Sequence, residues 1–223
     1  MQELLDSLVK QVQSKRCHQS VLKLTCSILE NIRDSSDEIS LVHHPLGFFL
    51  VKLGQINLVS IRLHIWLPNR RNMQYPNWSI HDHNFNLESC ILTGEIVNNI
   101  FHVNFNSSHP TNCLYLVGYN DNMSILTRIS QFLSCQLTNQ STYSQGNYYS
   151  VKRGEYHSTK VSLEYLTATI VLASNQNETS PRVIGDLEGS EEYKYRRITT
   201  QPSEFYEIIS LLLSKLYADL NQL

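Results

Sequence analysis

Both ends of the chain carry apolar residues at the spacing of an amphipathic helix, whereas the region between them does not. The first stripe recurs at i, i+3, i+4 and i+7 and comprises Leu5, Leu8, Val9 and Val12. A second stripe follows Pro202, a residue that suits the first turn of a helix. These patterns predict a helical N-terminal flank over residues 1–33 and a C-terminal helix over residues 200–221.

The central part of the chain alternates short runs rich in Val, Ile, Tyr and Phe with clusters of turn-forming residues. Runs of this composition and length are typical of β-strands. The predicted strands are 47–53, 57–66, 79–84, 88–94, 96–104, 113–118, 125–136, 147–152, 155–161 and 164–174. Many short strands at this spacing favour a barrel or a sandwich of two sheets.

These elements predict a mainly β fold in a single domain over residues 1–223. The barrel would occupy residues 47–174, and residues 175–199 would form a long polar surface loop because they show no clear period. The apolar stripes of the helices must be buried, and we expect them to cover one outer face of the sheets.

The composition is that of an ordinary folded protein. The 223 residues suffice for one substantial domain, with 41% apolar and 17% charged residues. The net charge of −2 gives no electrostatic reason to expect nucleic acid or an anionic membrane as a partner. No apolar run reaches the roughly 18 residues that a membrane-spanning helix needs.

The five cysteines are scattered along the chain, and no two of them form a C-x-x-C pair. Their odd number and spacing argue against a disulfide framework and against a zinc ribbon. The N-terminus also lacks the basic start and the cleavage site of a secretory signal. We therefore expect a reduced, cytoplasmic protein.

The most informative segment is Ser79–Gly94, in which His81 and His83 stand two residues apart. Side chains at i and i+2 of an extended strand point to the same face, so the two imidazoles can reach one small volume. Imidazoles paired in this way are well suited to hold a metal ion. His157 supplies a third candidate ligand, and Asp82 would point away from the metal and have a structural role.

The order of these histidines and the glycines around them resemble the two motifs of the cupin superfamily. His81-Asp82-His83 matches the H-x-H of the first motif, and Gly154-Glu155-Tyr156-His157 matches the G-x2-H of the second. The chain departs from the motifs at Tyr75, Lys152 and Val161. The resemblance implies a single double-stranded β-helix, or jelly-roll barrel, with the helices packed on its outer face.

Within this superfamily, the chain resembles the cysteine dioxygenase-like thiol dioxygenases over about residues 47–174. The segment Ser79–His83 looks like their S-I-H-D-H, and Ile61–Trp66 looks like their hydrophobic strand that ends in Trp. The family binds Fe(II) through three neutral histidines and uses O2 to oxidise a thiol to a sulfinate. The resemblance therefore implies a mononuclear non-haem Fe(II) oxygenase that acts on a small molecule bearing a thiol or a carboxylate.

Glu88 can belong to the metal site or point away from it. Counted forward from His83, Glu88 occupies the usual glutamate position of the first cupin motif; counted back from Gly94, Leu87 takes that position. A shift of one residue moves every side chain of a strand to the opposite face. Both arrangements stay open, with a slight preference for Glu88 as a ligand because carboxylates are common partners of Fe and Mn.

Arg62 and His64 are the candidate substrate-binding residues. Thiol dioxygenases that act on amino acids carry an arginine in an early strand, and the corresponding stretch Leu46–Leu50 has none. On the predicted strand 57–66, Arg62, His64 and Trp66 share one face. If the helices cover the opposite face, Arg62 can clamp a carboxylate and His64 can support the site or move a proton.

The leading hypothesis is an Fe(II) enzyme that has a small-molecule substrate and O2 as partners and that forms a homodimer. Mn, Ni and Zn are the alternative metals. A metal-dependent lyase, isomerase or hydrolase is the alternative enzyme, and a ligand-binding protein without activity is the third hypothesis, because cupins host all of these. Four further histidines lie in turns or at strand edges and are expected to be solvated: His43, His44, His102 and His109.

Overall fold

The computed structural model describes residues 1–34, 40–120 and 122–222. The helices of these residues lie where the apolar spacing predicts them, and they are α1 (Gln2–Ser14), α2 (His18–Asp34) and α3 (Pro202–Leu220). The N-terminal flank divides into two helices because Lys15 adopts a left-handed conformation, with φ of 53°, and ends α1. None of the described helices has both the length and the apolar character that a membrane span requires.

The strands of the described chain all lie between α2 and α3. They are β1 (Val42–His44), β2 (Phe48–Ile56), β3 (Val59–Trp66), β4 (Asn86–Thr93), β5 (Glu95–Asn104), β6 (Asn112–Asn120), β7 (Met123–Ser144), β8 (Tyr148–Val151), β9 (Tyr156–Val161), β10 (Thr167–Ser174), β11 (Arg182–Asp186) and β12 (Glu192–Arg196). These strands pair antiparallel throughout.

The strands form two sheets that face each other. The first sheet has the order β1-β2-β3-β10-β4-β8, and the second has the order β11-β6-β7-β5-β9 with β12 beside β7. Side chains from both sheets line one cavity between them. This architecture confirms the predicted mainly β fold, with antiparallel sheets and with helices at both ends of the chain.

Gly94 carries the chain from the first sheet to the second, between β4 and β5. Its φ is +75°, a left-handed conformation that favours glycine. A Cβ at this position would lie 2.8 Å from the carbonyl oxygen of Leu166, too close for any other residue. The glycine is therefore required by the close approach of the two chain segments, and it fixes where β4 ends.

Strand β3 explains why the helices cover one face of the first sheet. Ile61, Leu63 and Ile65 are fully buried and belong to the largest apolar core, which also contains residues of all three helices. Arg62 and His64 alternate with them and line the cavity. Burial of each such aliphatic side chain contributes about 1.5–3 kcal/mol, so packing against the helices stabilises this sheet. The opposite face of the sheet is left free to form a site.

The structure differs from the predicted elements in four places. Strand β7 continues to Ser144, well beyond its predicted end at residue 136. Residues 175–199 contain β11 and β12, so the prediction of a long surface loop is wrong there. The first sheet begins before residue 47, with β1. Residues 79–84 form no regular strand; isolated bridges join His81 to His157 and to Val183.

Candidate metal centre

Three histidines from two distant parts of the chain come together at the second sheet. Ring nitrogens of His81, His83 and His157 all lie within 4.8 Å of one another. The Nε2 atoms of His83 and His157 are 3.0 Å apart. In the described parts of the chain, this is the one group of three or more His, Cys, Asp or Glu residues close enough to share a metal ion.

The main chain sets the distance between the two histidine segments. The N–H of His81 donates to the carbonyl of His157 over 3.0 Å, and the N–H of His157 donates to the carbonyl of His81 over 2.9 Å. Residues that exchange both hydrogen bonds lie directly opposite each other and point their side chains to the same face. His83 follows two residues later and therefore joins them on that face.

Asp82 points the other way, as the alternation along this segment requires. It is buried, and its Oδ1 accepts a hydrogen bond of 2.6 Å from the backbone N–H of Arg182. The Nε of Arg182 donates to Asp82 Oδ2 over 2.7 Å, and Nη2 of Arg182 contacts the same oxygen. This pair ties the segment between His81 and His83 to β11 and so holds both histidines in place.

In two of the three rings, a hydrogen bond at Nδ1 leaves Nε2 as the nitrogen that faces the site. Nδ1 of His81 lies 2.8 Å from the carbonyl oxygen of Ser79, and Nδ1 of His157 lies 2.9 Å from Oδ1 of Asn98. Both partners are acceptors, so Nδ1 carries the proton in each ring and Nε2 keeps its lone pair. Metal-binding histidines in proteins are usually held by this kind of hydrogen bond.

The three imidazoles are neutral at neutral pH because they lie beside one another in a site where His157 is buried and His81 and His83 are half-buried. Burial lowers the pKa of His81, although the Ser79 carbonyl opposes this shift. Burial also lowers the pKa of His83 and of His157 well below the ordinary value, and the charge of a protonated His81 would lower both further. Neutral rings with free Nε2 atoms are the form that binds a metal ion.

The histidine group is compatible with a metal ion. Two nitrogens that each bind one ion at about 2.1 Å are separated by roughly 3–4 Å. The measured 3.0 Å between the Nε2 atoms of His83 and His157 lies in this range. Three neutral nitrogens leave the charge of a divalent ion uncompensated and leave coordination positions open.

Glu88 lies outside this group, which corrects the preference for it as a fourth ligand. Along β4, Glu88 shares a face with Cys90 and Leu92, which belong to the apolar core under the helices. Leu87 lines the cavity instead. The irregular segment before β4 allows the one-residue shift, so the structure has the second of the two arrangements that the sequence leaves open.

The histidines open into a cavity of about 770 Å³ between the sheets. Arg62, His64 and Trp66 line it, whereas the apolar residues of β3 point to the helices. The guanidinium of Arg62 lies 4.6 Å from the centre of the Phe85 ring. Burial and the nearby charge of Arg62 lower the pKa of His64 to about 3, so His64 is a neutral hydrogen-bonding group at neutral pH.

Two of the histidines expected to be solvated are not. His44 lines the cavity, and its ring stacks on Phe48 at 4.2 Å between centroids. Burial lowers its pKa well below the ordinary value. His43 packs against Phe49 and lies 3.7 Å from a carboxylate oxygen of Glu204 on α3. His102 and His109 are exposed, as expected.

Sequence reasoning missed several polar residues of the site. Arg182, Tyr195 and Arg197 line the cavity but come from the stretch that the sequence predicts to be a surface loop. The alternation of Tyr193 and Tyr195 with charged residues could have indicated a strand there. Asn98, which holds His157, could have been noticed because it and Asn99 are adjacent polar residues between the apolar pairs of β5.

No family model matches this sequence, and no curated protein matches it. Several solved structures are similar to this chain at low identity. DMSP lyase DddQ from Ruegeria pomeroyi is 16% identical over 60% of this chain and 50% of that chain, with a TM-score of 0.34. Hydroxypropylphosphonic acid epoxidase from S. wedmorenis is 10% identical over 63% and 57%, with a TM-score of 0.37.

A third similar structure is Streptomyces PAC13 with uridine, which is 11% identical over 75% of this chain and 91% of that chain, with a TM-score of 0.35. The match to the DMSP lyase spans only half of that enzyme's length. Scores and identities this low do not indicate an activity for this chain. The residues of the site are the basis for any proposed function.

Proposed function

We propose that this chain is a mononuclear, metal-dependent enzyme of the cupin type that acts on a small molecule. The observation that carries the proposal is the set of three neutral imidazoles, two of them held by hydrogen bonds at Nδ1, that meet at the wall of a closed-in cavity. Such a donor set binds a divalent ion and leaves positions open for other ligands. The fixed rings reduce the reorganisation that ion binding requires.

Within this class, we propose an Fe(II)-dependent oxygenase of the thiol dioxygenase kind. His81, His83 and His157 would hold the ion, which supplies the chemistry that lets O2 react with a bound thiol or carboxylate compound. The absence of Glu88 from the group supports this choice, because a site of three neutral nitrogens is the one that the resemblance to thiol dioxygenases implies.

The proposed roles of the cavity residues follow from their charge states. Arg62 has no carboxylate partner among the described residues, so its guanidinium is free to bind a substrate carboxylate through two hydrogen bonds. His64 is neutral and lies against Trp66, with 5.8 Å between ring centroids. It can therefore donate or accept one hydrogen bond to the substrate and can pass a proton without adding charge to the site.

The alternative within the same class is a lyase, isomerase or hydrolase that uses Zn, Mn or Ni. The donor set is compatible with this alternative, because imidazoles bind all of these ions. In that case the ion polarises an oxygen of the substrate and needs no O2. A cytoplasmic location, a homodimer and a ligand-binding protein without activity stay predictions of the sequence.

The test is metal content followed by oxygen uptake. Protein purified anaerobically is expected to hold about one divalent ion per chain by mass spectrometry. After chelation, reloading with Fe(II) should restore O2 consumption with a panel of small thiols such as cysteamine, 3-mercaptopropionate and cysteine. Reloading with Zn should not. Activity with Zn or Mn and no O2 uptake would instead establish the lyase, isomerase or hydrolase alternative.

Two variants serve as controls for the ligand assignment. Replacement of the exposed His102 by Ala should leave the metal content unchanged, whereas His83→Ala should abolish it. Glu88→Gln should also retain the ion, because its side chain faces the core under the helices. Loss of the ion in Glu88→Gln would restore Glu88 as a ligand, and a protein that binds no divalent ion under any condition would refute the proposed function.

A further inference from the structure

The cavity carries an excess of positive charge that the metal site does not explain. Lys52, Arg62 and Arg197 all line it. Among the described residues of the lining, Asp82 is the only carboxylate, and Arg182 already binds it. Three cationic side chains therefore face the same space without an acidic partner in it.

Arg62 and Lys52 form one side of this charged wall. They lie directly across from each other in the pairing of β2 with β3, which points both side chains into the cavity. The guanidinium of Arg62 rests on the ring of Phe85, and it has no hydrogen bond to another side chain in the part of the chain described. Burial lowers the pKa of Arg62, Tyr119 opposes this shift, and the positive charge of Arg197, which lines the same cavity, adds to it.

Arg197 approaches from the other sheet, just after β12. Its backbone N–H donates to the carbonyl of Asn122 over 2.7 Å, which anchors the residue. Its guanidinium lies 5.2 Å from the centre of the Tyr119 ring, and no acidic group contacts it in the described structure. The adjacent Arg196 is exposed and does not line the cavity, so the two neighbouring arginines differ in their surroundings.

Unpaired guanidinium groups that share a partly buried space are unfavourable unless a ligand supplies the opposite charge. A single carboxylate neutralises only one of them. We infer that the cavity binds a small molecule with two negative charges, a phosphate monoester, a phosphonate or a dicarboxylate, and that Arg62 and Arg197 both donate hydrogen bonds to it. The planar fork of arginine matches the oxygens of either group.

The geometry also relates this anion site to the metal centre. The ring of Phe85 contacts Arg62 on one side and stacks with His83, whose ring centroid lies 4.7 Å away. A molecule held by Arg62 and Arg197 can therefore extend over Phe85 towards the histidines. This inference rests on the proposed function for its role in catalysis, but the binding of the anion does not require the metal.

The test is anion binding to chelator-treated protein, measured by calorimetry at neutral pH and constant ionic strength. Two pairs of probes that are similar in shape but differ in charge separate the two effects: methyl phosphate against dimethyl phosphate, and succinate against its monomethyl ester. We expect the doubly charged member of at least one pair to bind about tenfold more tightly or better, as one additional charge-assisted contact predicts. The pair that shows the difference identifies the anionic group.

Arg197→Gln and Arg62→Gln should each weaken binding of the dianion by about tenfold or more and leave the monoanion less affected. Arg196→Gln is the matched control and should change neither. Arg197→Lys keeps the charge without the planar fork and should fall between wild type and Arg197→Gln. Melting temperatures recorded for every variant identify any loss of binding that reflects unfolding.

Equal binding of dianions and monoanions, or unchanged dianion binding in a folded Arg197→Gln variant, would overturn the inference. Its failure is distinguishable from failure of the proposed function. Protein that binds Fe(II) and reacts with O2 but shows no preference for dianions refutes only the anion site. Protein that prefers dianions but never holds a metal refutes only the metal-dependent enzyme.

Discussion

The two sheets of this molecule differ in what they bury. The first sheet packs an almost wholly apolar face against three helices, and this core holds most of the fully buried aliphatic residues. The second sheet has only small apolar clusters, and it buries polar groups such as Asp82, Asn98 and His157. The comparison teaches that one half, the first sheet under the helices, stabilises the fold, while the other half holds the histidines and shares the cavity with Arg62 and His64 of β3. Each of the following changes is aimed at one half.

The largest expected effect comes from removing a histidine of the second sheet. His157→Ala should weaken metal binding by more than about 100-fold, because even the loss of a residue that only positions a ligand costs about 10- to 100-fold. Activity should be abolished, while unfolding of the metal-free variant should stay close to that of metal-free wild type. Metal content by mass spectrometry and chemical denaturation measure the two effects. A variant that retains the ion would exclude His157 as a ligand.

The matching change in the first half is Leu212→Ala on α3. Leu212 is fully buried in the core under the helices, so its truncation should lower the free energy of unfolding by about 2–5 kcal/mol. Leu211→Ala, at the neighbouring position that is 47% exposed, should cost less than about 0.5 kcal/mol. Denaturation curves measure both. Metal affinity of the folded fraction should be unchanged, and a parallel loss of metal binding would show that the halves are not separable.

Asn98→Ala should weaken metal binding by about 10- to 100-fold without preventing it, because the variant removes the acceptor for the Nδ1–H of His157. Asn99→Ala is the matched control: Asn99 is equally buried but bonds Ser158 and Gln140. Competition with a chelator of known affinity measures the difference. If both variants lose the same affinity, the effect of Asn98 reflects the packing of β5 and not the orientation of His157.

The smallest effect, counted per pH unit, is the pH dependence contributed by His64. Its folded-state pKa is about 3, below its unfolded value of 6.5, so below pH 6.5 the unfolded chain binds a proton that the folded protein does not. Stability should therefore fall as the pH decreases from 6.5 towards 3, with a slope from this group of at most about 1.4 kcal/mol per pH unit.

His64→Phe should make this slope shallower in metal-free protein, while the same change at the exposed His102 should leave it unaltered. Urea denaturation at several pH values between 4 and 7 gives the slope, since one titrating group sets its upper limit. An identical slope in His64→Phe and wild type would mean that His64 is protonated in the folded protein.

The helices and strands that bury one face could be predicted from the sequence, because burial of one face requires apolar residues at regular spacing. The helices and β2 to β10 lie close to their predicted positions. Strands β11 and β12 have five residues each, with charged residues exposed along β12, and such short runs show little period. Their positions depend on pairing with β6 and β7, and the local sequence pattern does not indicate this pairing.

The histidine ligands could be predicted for a similar reason. The spacing of His81 and His83 and the resemblance to cupins brought them together with His157, and the structure places the three side by side. The face of β4 on which Glu88 lies depends on a shift of one residue in the irregular segment before that strand. The spacing of residues in the sequence cannot determine whether this shift occurs. The positively charged wall was missed because Arg197 reaches the cavity through tertiary packing alone.

The reciprocal hydrogen bonds between His81 and His157 have a consequence for the order of folding. The sequence separation between the histidine segments is large, 74 residues from His83 to His157, so closing this contact requires a long loop to form. The entropy of closing such a loop is lost before the contact contributes to stability. A metal ion would therefore have no assembled site until the two segments meet, and we expect it to load through the cavity of the folded protein.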